Sequence, residues 1–180
     1  MSTITTRQRI LAVAAELFAA QGIAATPLRE IAERLDVTKA ALYYHFPSKD
    51  HLLAALITPL HDDLGAVLTR IEDGTTSAAP AKVLAHLLDA HLTNHDATRL
   101  ARDPAMHQVD RLHQRAEQLH TRAIAALVGG DADPGDRLRA AAALAVLEDM
   151  TIRCTPDQHP LARQIAPVAA TAALHADKAL

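Results

Sequence analysis

Apolar positions along this chain recur at helical spacing. Ile10, Ala14, Leu17 and Phe18 fall at i, i+4, i+7 and i+8, one stripe of a helix predicted over 5–21 and stopped by Gly22. Thr26-Pro27 signals a second start, with Thr26 as N-cap and Pro27 in the first helical position. Leu28, Ile31, Ala32 and Leu35 then form the inner face of a short helix ending near Asp36. Val37-Thr38 opens a third helix that runs to about His45 and is stopped by Pro47. Ser48 caps a long fourth helix over 49–72, with Pro59 expected to kink or break it. Further helices are predicted over 78–95, 98–102, 104–128, 135–153 and 160–175, with Pro167 as a second interruption. No alternating strand pattern appears, so the fold class is all-α, divided at 1–50 and 51–180.

Composition agrees with that reading. The 180 residues are 49% hydrophobic and only 2% aromatic, and they are rich in alanine. A single cysteine, Cys154, argues against an internal disulfide framework and any Cys-based zinc module. With Arg153 as its one cationic neighbour, it reads as a structural thiol. The opening MSTITTRQRI lacks the apolar core of a signal peptide, and no stretch approaches ~18 consecutive apolar residues. The expectation is therefore a cytoplasmic protein with no membrane partner. Net charge is −3, but residues 1–55 set Arg7, Arg9, Arg29, Arg34, Lys39 and Lys49 against Glu16, Glu30, Glu33, Asp36 and Asp50, a small basic excess at the N-terminal end.

Two short helices joined by a tight turn make a helix-turn-helix, and the first helix must close its core. Ile10, Leu17, Phe18, Ile31, Leu35, Val37, Leu42 and Phe46 are the expected core. The third helix would then turn Thr38, Lys39, Ala40, Tyr43, Tyr44 and His45 outward. A helix fits the major groove, where base edges present a unique donor and acceptor code. Lys39 suits a guanine edge or a phosphate, the tyrosines offer hydroxyls and rings, and Ala40 allows close approach. Thr26, Arg29 and Lys49 are candidates for flanking phosphates, which set register without reading sequence. Arg29 is equally placed to pair with Glu33 at i+4.

The run from Gly22 to Leu53, and above all Leu42-Tyr43-Tyr44-His45-Phe46 followed by Ser48-Lys49, resembles the DNA-binding domain of TetR-family transcriptional regulators. The likeness covers roughly residues 7–56. Asp36 stands where the family usually has glycine in the turn, and aspartate tolerates the left-handed conformation better than most residues. Pro27 replaces a common hydroxyl residue. The resemblance implies a homodimer on a near-palindromic operator, usually a repressor, with no catalytic activity and no cofactor. It implies a helical second domain that binds a small-molecule effector and moves the fourth helix. It also implies dimerisation through the last two helices, here by faces such as Ala141, Leu144, Ala145, Leu147, Val168 and Ala172.

An effector pocket is expected between helices of residues 60–125. Leu64, Leu68, Leu87, Leu88, Leu92, Leu100, Met106, Val109 and Leu112 are candidate walls, and Arg99, Arg102, Asn94, Asp110 and His113 candidate polar anchors. Beyond the first 50 residues there is no Phe, Tyr or Trp, so aliphatic contact is expected rather than stacking. The chain has 11 histidines, and His91/His95 and His113/Glu117 have the i, i+4 spacing that can place two metal ligands on one face. A metal-responsive regulator using these histidines is the alternative reading.

Overall fold

The computed structural model describes residues 4–176 of the chain, and among these no strand occurs. The helices are α1 (Thr6–Gln21), α2 (Leu28–Arg34), α3 (Lys39–His45), α4 (Lys49–Glu72), α5 (Pro80–Thr93), α6 (His95–Ala101), α7 (Asp110–Val128), α8 (Pro134–Arg153) and α9 (His159–Leu174). Short 3-10 turns occupy Pro104–Gln108 and Pro156–Gln158.

Among the described residues, side-chain caps set four of the nine α-helix starts, those of α1, α3, α4 and α8. Thr5 and Gln8 form a reciprocal capping box on α1. The hydroxyl of Thr38 accepts from the Ala41 amide at 3.1 Å, and that of Ser48 from the His51 amide at 3.2 Å. Gly22, at φ +84°, ends α1. Asp36 takes the left-handed conformation its place in the turn requires, at φ +54°.

Four expectations need correction. Thr26 does not cap α2: the cap position is Pro27, with no side-chain bond, and the Thr26 hydroxyl donates back to the Gly22 carbonyl at 2.8 Å. Pro59 does not end α4, which runs on through it. The proline lies on the exposed side, and the buried stripe opposite holds the helix across the missing hydrogen bond. Likewise α9 continues through Pro167. The helix expected over 104–128 begins instead as the 3-10 turn. There Asp103 bridges two segments, accepting from the Ala105 amide with one oxygen and from the distant Ile23 amide with the other, both at 2.9 Å.

Packing resolves into two apolar cores. One joins Ile10, Phe18, Ile31, Leu42 and Phe46 to the first turns of α4 (Leu52, Leu53, Ile57) and to Leu100, Met106, Val109 and Leu112. Leu17 and Val37, expected within it, pack at its edge. The other joins the far half of α4 (Val67, Leu68, Ile71) to α5, α7, α8 and α9, with Leu and Ala nearly throughout. Thus α4 belongs to both cores. It is also long and apolar enough, by length and composition, to cross a membrane, with mean hydropathy 1.3 over its most apolar window. Just over half of that window, 56%, is buried in these two cores, which accounts for its apolarity.

Candidate functional site: a recognition helix and the cavity behind it

The two faces of α3 are chemically distinct. Leu42 and Phe46 are buried at its back. At its front Thr38, Lys39 and Ala40 are exposed, with Tyr43 at 49% and Tyr44 at 84% exposure. Leaving two large aromatic rings in water is unfavourable for folding alone, which marks this as a contact surface. Tyr44 meets the half-buried His45 edge to face at 5.2 Å between centroids. Seven residues of helix, capped by Thr38 and closed at Phe46, present this face on a rigid support.

The flanking candidates divide. Arg29 is exposed and pairs with Glu33 at 3.6 Å, a weak surface contact that a phosphate can replace. Lys49 is half-buried, and its Nζ donates to the Ile23 carbonyl at 2.7 Å, tying the start of α4 to the α1–α2 loop. Its two other ammonium donors leave a phosphate contact open. Thr26 is fully buried, which puts its hydroxyl out of a phosphate's reach. Sequence reasoning passed over Arg7, whose guanidinium lies 5.0 Å over the Phe46 ring beside the end of α3. The signal was available: a cation in the first turn of a helix opposes the helix dipole, so a function has to justify it.

Behind this unit lie two concavities. A cavity of about 170 Å³ sits between α4, α5, α6, α7 and α8. Leu60, Leu64, Leu68, Leu87, Leu119 and Leu144 line it, with His61, His91, His120, Arg102 and Glu148 as its polar groups. Burial pushes the His61 imidazole below its usual value, and the Arg115 charge adds to that. Burial does the same to His91. The Thr98 hydroxyl donates to the His91 carbonyl and meets His91 Nδ1, both at 3.2 Å. With the hydroxyl proton committed to the carbonyl, Nδ1–H is the donor to Oγ, and the His91 Nε2 lone pair is free to accept. Arg102 pairs with Glu148 at 3.0 Å at the wall. The second concavity is a groove of about 700 Å³ between α1, α4 and α6, lined among others by Leu11, Phe18, Leu56, Asn94, His95 and Arg99.

Only some of the candidate pocket residues meet here. Leu64, Leu68, Leu87 and Arg102 line the cavity. Leu88 and Leu92 are in the C-terminal core instead, and Met106, Val109 and Leu112 in the N-terminal one, because helices packed on every side turn most of their leucines into core. Arg99, Asn94 and Leu100 line the groove. Asp110 and His113 are exposed at the start of α7, where His113 stacks on His107 at 5.0 Å. His61 and Glu148 were missed, since nothing in helical spacing alone says which polar residue faces inward; His120 is exposed at the cavity's rim.

The histidine pairs do not converge as metal sites. His91 turns to Thr98 and His95 to the Cys154 carbonyl, at 3.0 Å. Among the described residues, neither the His91/His95 pair nor the His113/Glu117 pair gains a third ligand in common. Burial pushes the Cys154 thiol up.

Comparison with known proteins bears on the same elements. Residues 10–56 match the family of bacterial regulatory proteins of the tetR type. A helix-turn-helix transcriptional repressor of Mycobacterium tuberculosis is 36% identical over 137 residues, 76% of this chain and 67% of the relative. The repressor KstR2 of Rhodococcus jostii is 31% identical over 57% of this chain and 52% of its own length. Among solved structures, the ketosteroid regulator KstR2 of M. tuberculosis superimposes with a TM-score of 0.73 at 22% identity, over 96% of this chain and 95% of that one. PfmR of Thermus thermophilus does so at 0.68 and 24%, over 92% and 97%. The match on the helix-turn-helix, extended by identity well into the second core, makes this chain a member of the TetR family of DNA-binding transcriptional regulators, which are not enzymes.

Proposed function

We propose that this regulator binds a near-palindromic operator as a homodimer, acts as a repressor, and is released by a small-molecule effector. The observation that carries the reading is the exposed front of α3, with Tyr43 and Tyr44 in water over a buried back. In this reading residues 1–50 are the DNA-binding unit, and Lys39, Ala40, Tyr43 and Tyr44 enter the major groove, with Thr38 and His45 at the edges. Arg7, Arg29 and Lys49 hold phosphates on either side.

Residues 51–180 are the effector and dimerisation unit. An apolar stripe on the outside supports dimerisation: Leu138 on α8 and Leu161, Ile165 and Val168 on α9 are all exposed. Exposed Ala145 and Ala172 continue the stripe, as the family resemblance implied, whereas Leu144 and Leu147 are buried in the chain's own core and leave the expected interface. Two such stripes related by a two-fold axis make an isologous four-helix contact. The cavity between α4 and α8 is the effector site, taking a small aliphatic molecule with a hydrogen-bonding group for His91 or His61. Because α4 belongs to both cores, an effector wedged against Leu64 and Leu68 tilts it and shifts α3 relative to its twin.

The test is operator affinity of Lys39→Ala and Tyr43→Ala. Each is expected to lose about ten- to hundredfold with an unchanged melting temperature. Unchanged affinity in both would overturn the assignment of α3.

A further inference from the structure

We propose that His95, Cys154 and His159 form a binding site for a thiophilic transition-metal ion, Zn²⁺ in the first instance. One ligand atom from each lies within 4.8 Å of the others, and all three side chains are half-buried. They come from distant parts of the chain: the first residue of α6, the residue that ends α8, and the first residue of α9. Only tertiary packing assembles them, so no sequence spacing announces the set. It is the one group of three such ligands among the described residues.

The state of the donors points to an ion. His159 Nε2 is buried without a hydrogen-bond partner, an expensive condition for a ring nitrogen in a protein interior. The two imidazoles lie 5.4 Å apart between centroids. His95 Nδ1 lies 3.5 Å from the exposed Asp96 carboxylate, longer than a good hydrogen bond but near enough to close into the carboxylate contact that orients a metal-ligating histidine. Here His95 Nε2–H donates to the Cys154 carbonyl at 3.0 Å; to bind the ion the ring changes tautomer, the proton moving through solvent from Nε2 to Nδ1, on the Asp96 side, which frees the Nε2 lone pair. The Cys154 thiol, now donating to the Thr151 carbonyl at 3.2 Å, gives its proton to solvent and binds as thiolate. Zn–S of about 2.3 Å and Zn–N of about 2.0 Å require the donors to draw in by roughly 1 Å, within reach of side-chain rotation. Two nitrogens and one sulfur suit Zn²⁺ and leave a fourth position for water. His95, Asp96 and Pro156 line the groove beside α1, which gives the ion its way in.

The location also suggests a consequence. An ion there clamps α6 to the α8–α9 junction. Six residues on, at Ala101, α6 ends, and Asp103 just beyond it grips the Ile23 amide in the helix-turn-helix loop. Metal occupancy thus acts on the same unit that holds α3. This consequence rests on the reading of α3 as the DNA-contacting helix; the site itself does not.

The experiment is a Co²⁺ titration of the reduced full-length chain, read by thiolate-to-cobalt charge-transfer absorption, with Zn²⁺ displacing the band. One equivalent is expected to develop it. Cys154→Ser should abolish the band, and His159→Gln should weaken binding at least about tenfold. Asp96→Asn should cost about ten- to hundredfold through the His95 ring. Each metal-free variant is checked by its melting temperature. If a variant is unfolded, protection of wild-type Cys154 from alkylation by one equivalent of Zn²⁺ decides. Cobalt binding without a thiolate band, or unprotected Cys154 in saturating Zn²⁺, overturns the site. With the band present, operator affinity should change at least about fivefold on adding Zn²⁺; no change overturns the coupling and leaves a structural ion.

Discussion

The two cores of this protein are written differently. The N-terminal core is marked residue by residue: Thr5, Thr38 and Ser48 cap α1, α3 and α4, Gly22 and Asp36 turn the chain, and Phe18 and Phe46 fill the centre. The C-terminal core has no Phe, Tyr or Trp, and α5, α7 and α9 begin without a side-chain cap. Leucine and alanine state that a helix exists and which stripe is buried, but they fit many neighbours equally well. The difference matches the tasks. One end must hold a fixed face against a fixed target, while the other must surround a cavity and move.

If the N-terminal core depends on few large side chains, truncating one should be severe. Phe46→Ala is expected to destabilise that unit by about 3–5 kcal/mol, and more than Val83→Ala in the other core, because a phenyl ring is lost together with its Arg7 contact. Urea unfolding of both variants checks the order. On the outer face, Val168→Glu with Leu161→Glu should convert a dimer to a monomer at micromolar concentration, read by sedimentation, without loss of helix.

Two smaller effects sharpen the contrast. His61 and His91 have imidazoles held below the ordinary value of ~6.5, so the unfolded chain binds more protons than the folded one at mildly acidic pH. Their contribution to stability is complete above about pH 6.5 and is lost as pH falls through their folded-state values. Each sets a slope of at most about 1.4 kcal/mol per pH unit. Double replacement by Gln should flatten the melting temperature between pH 6.5 and 5. In the helix-turn-helix, Asp36→Gly should stabilise by about 0.5–1 kcal/mol, since Asp36 is the one non-glycine residue among those described that is held at positive φ.

The same contrast governs what could be read from the sequence. Helix existence, the starts near Thr5 and Thr38, the cap at Ser48 and the turn at Asp36 follow from local chemistry and were legible. So was the outward face of α3, because Leu42 and Phe46 leave Tyr43 and Tyr44 nowhere else to point. Thr26 was misassigned because its hydroxyl could either accept from a helix amide or donate to a preceding carbonyl, and here it donates to Gly22 instead of capping. The break allowed for at Pro59 does not occur, and Pro167 likewise lies inside α9, since tertiary packing outweighs one lost bond. The cavity was only half legible. Leu64 and Leu68 face it while Leu88 and Leu92 do not, and that choice is made by neighbouring helices far away in sequence. The Cys154 cluster was invisible for the same reason.

The most direct test of the central claim is selection from a random duplex library by the purified chain, at physiological salt where non-specific binding is weak. The account predicts enrichment of a palindrome with half-sites about one helical turn or somewhat more apart, lost when Lys39 and Tyr43 are both replaced by alanine. A folded dimer that enriches no sequence, or a double variant that enriches the same one, would contradict it.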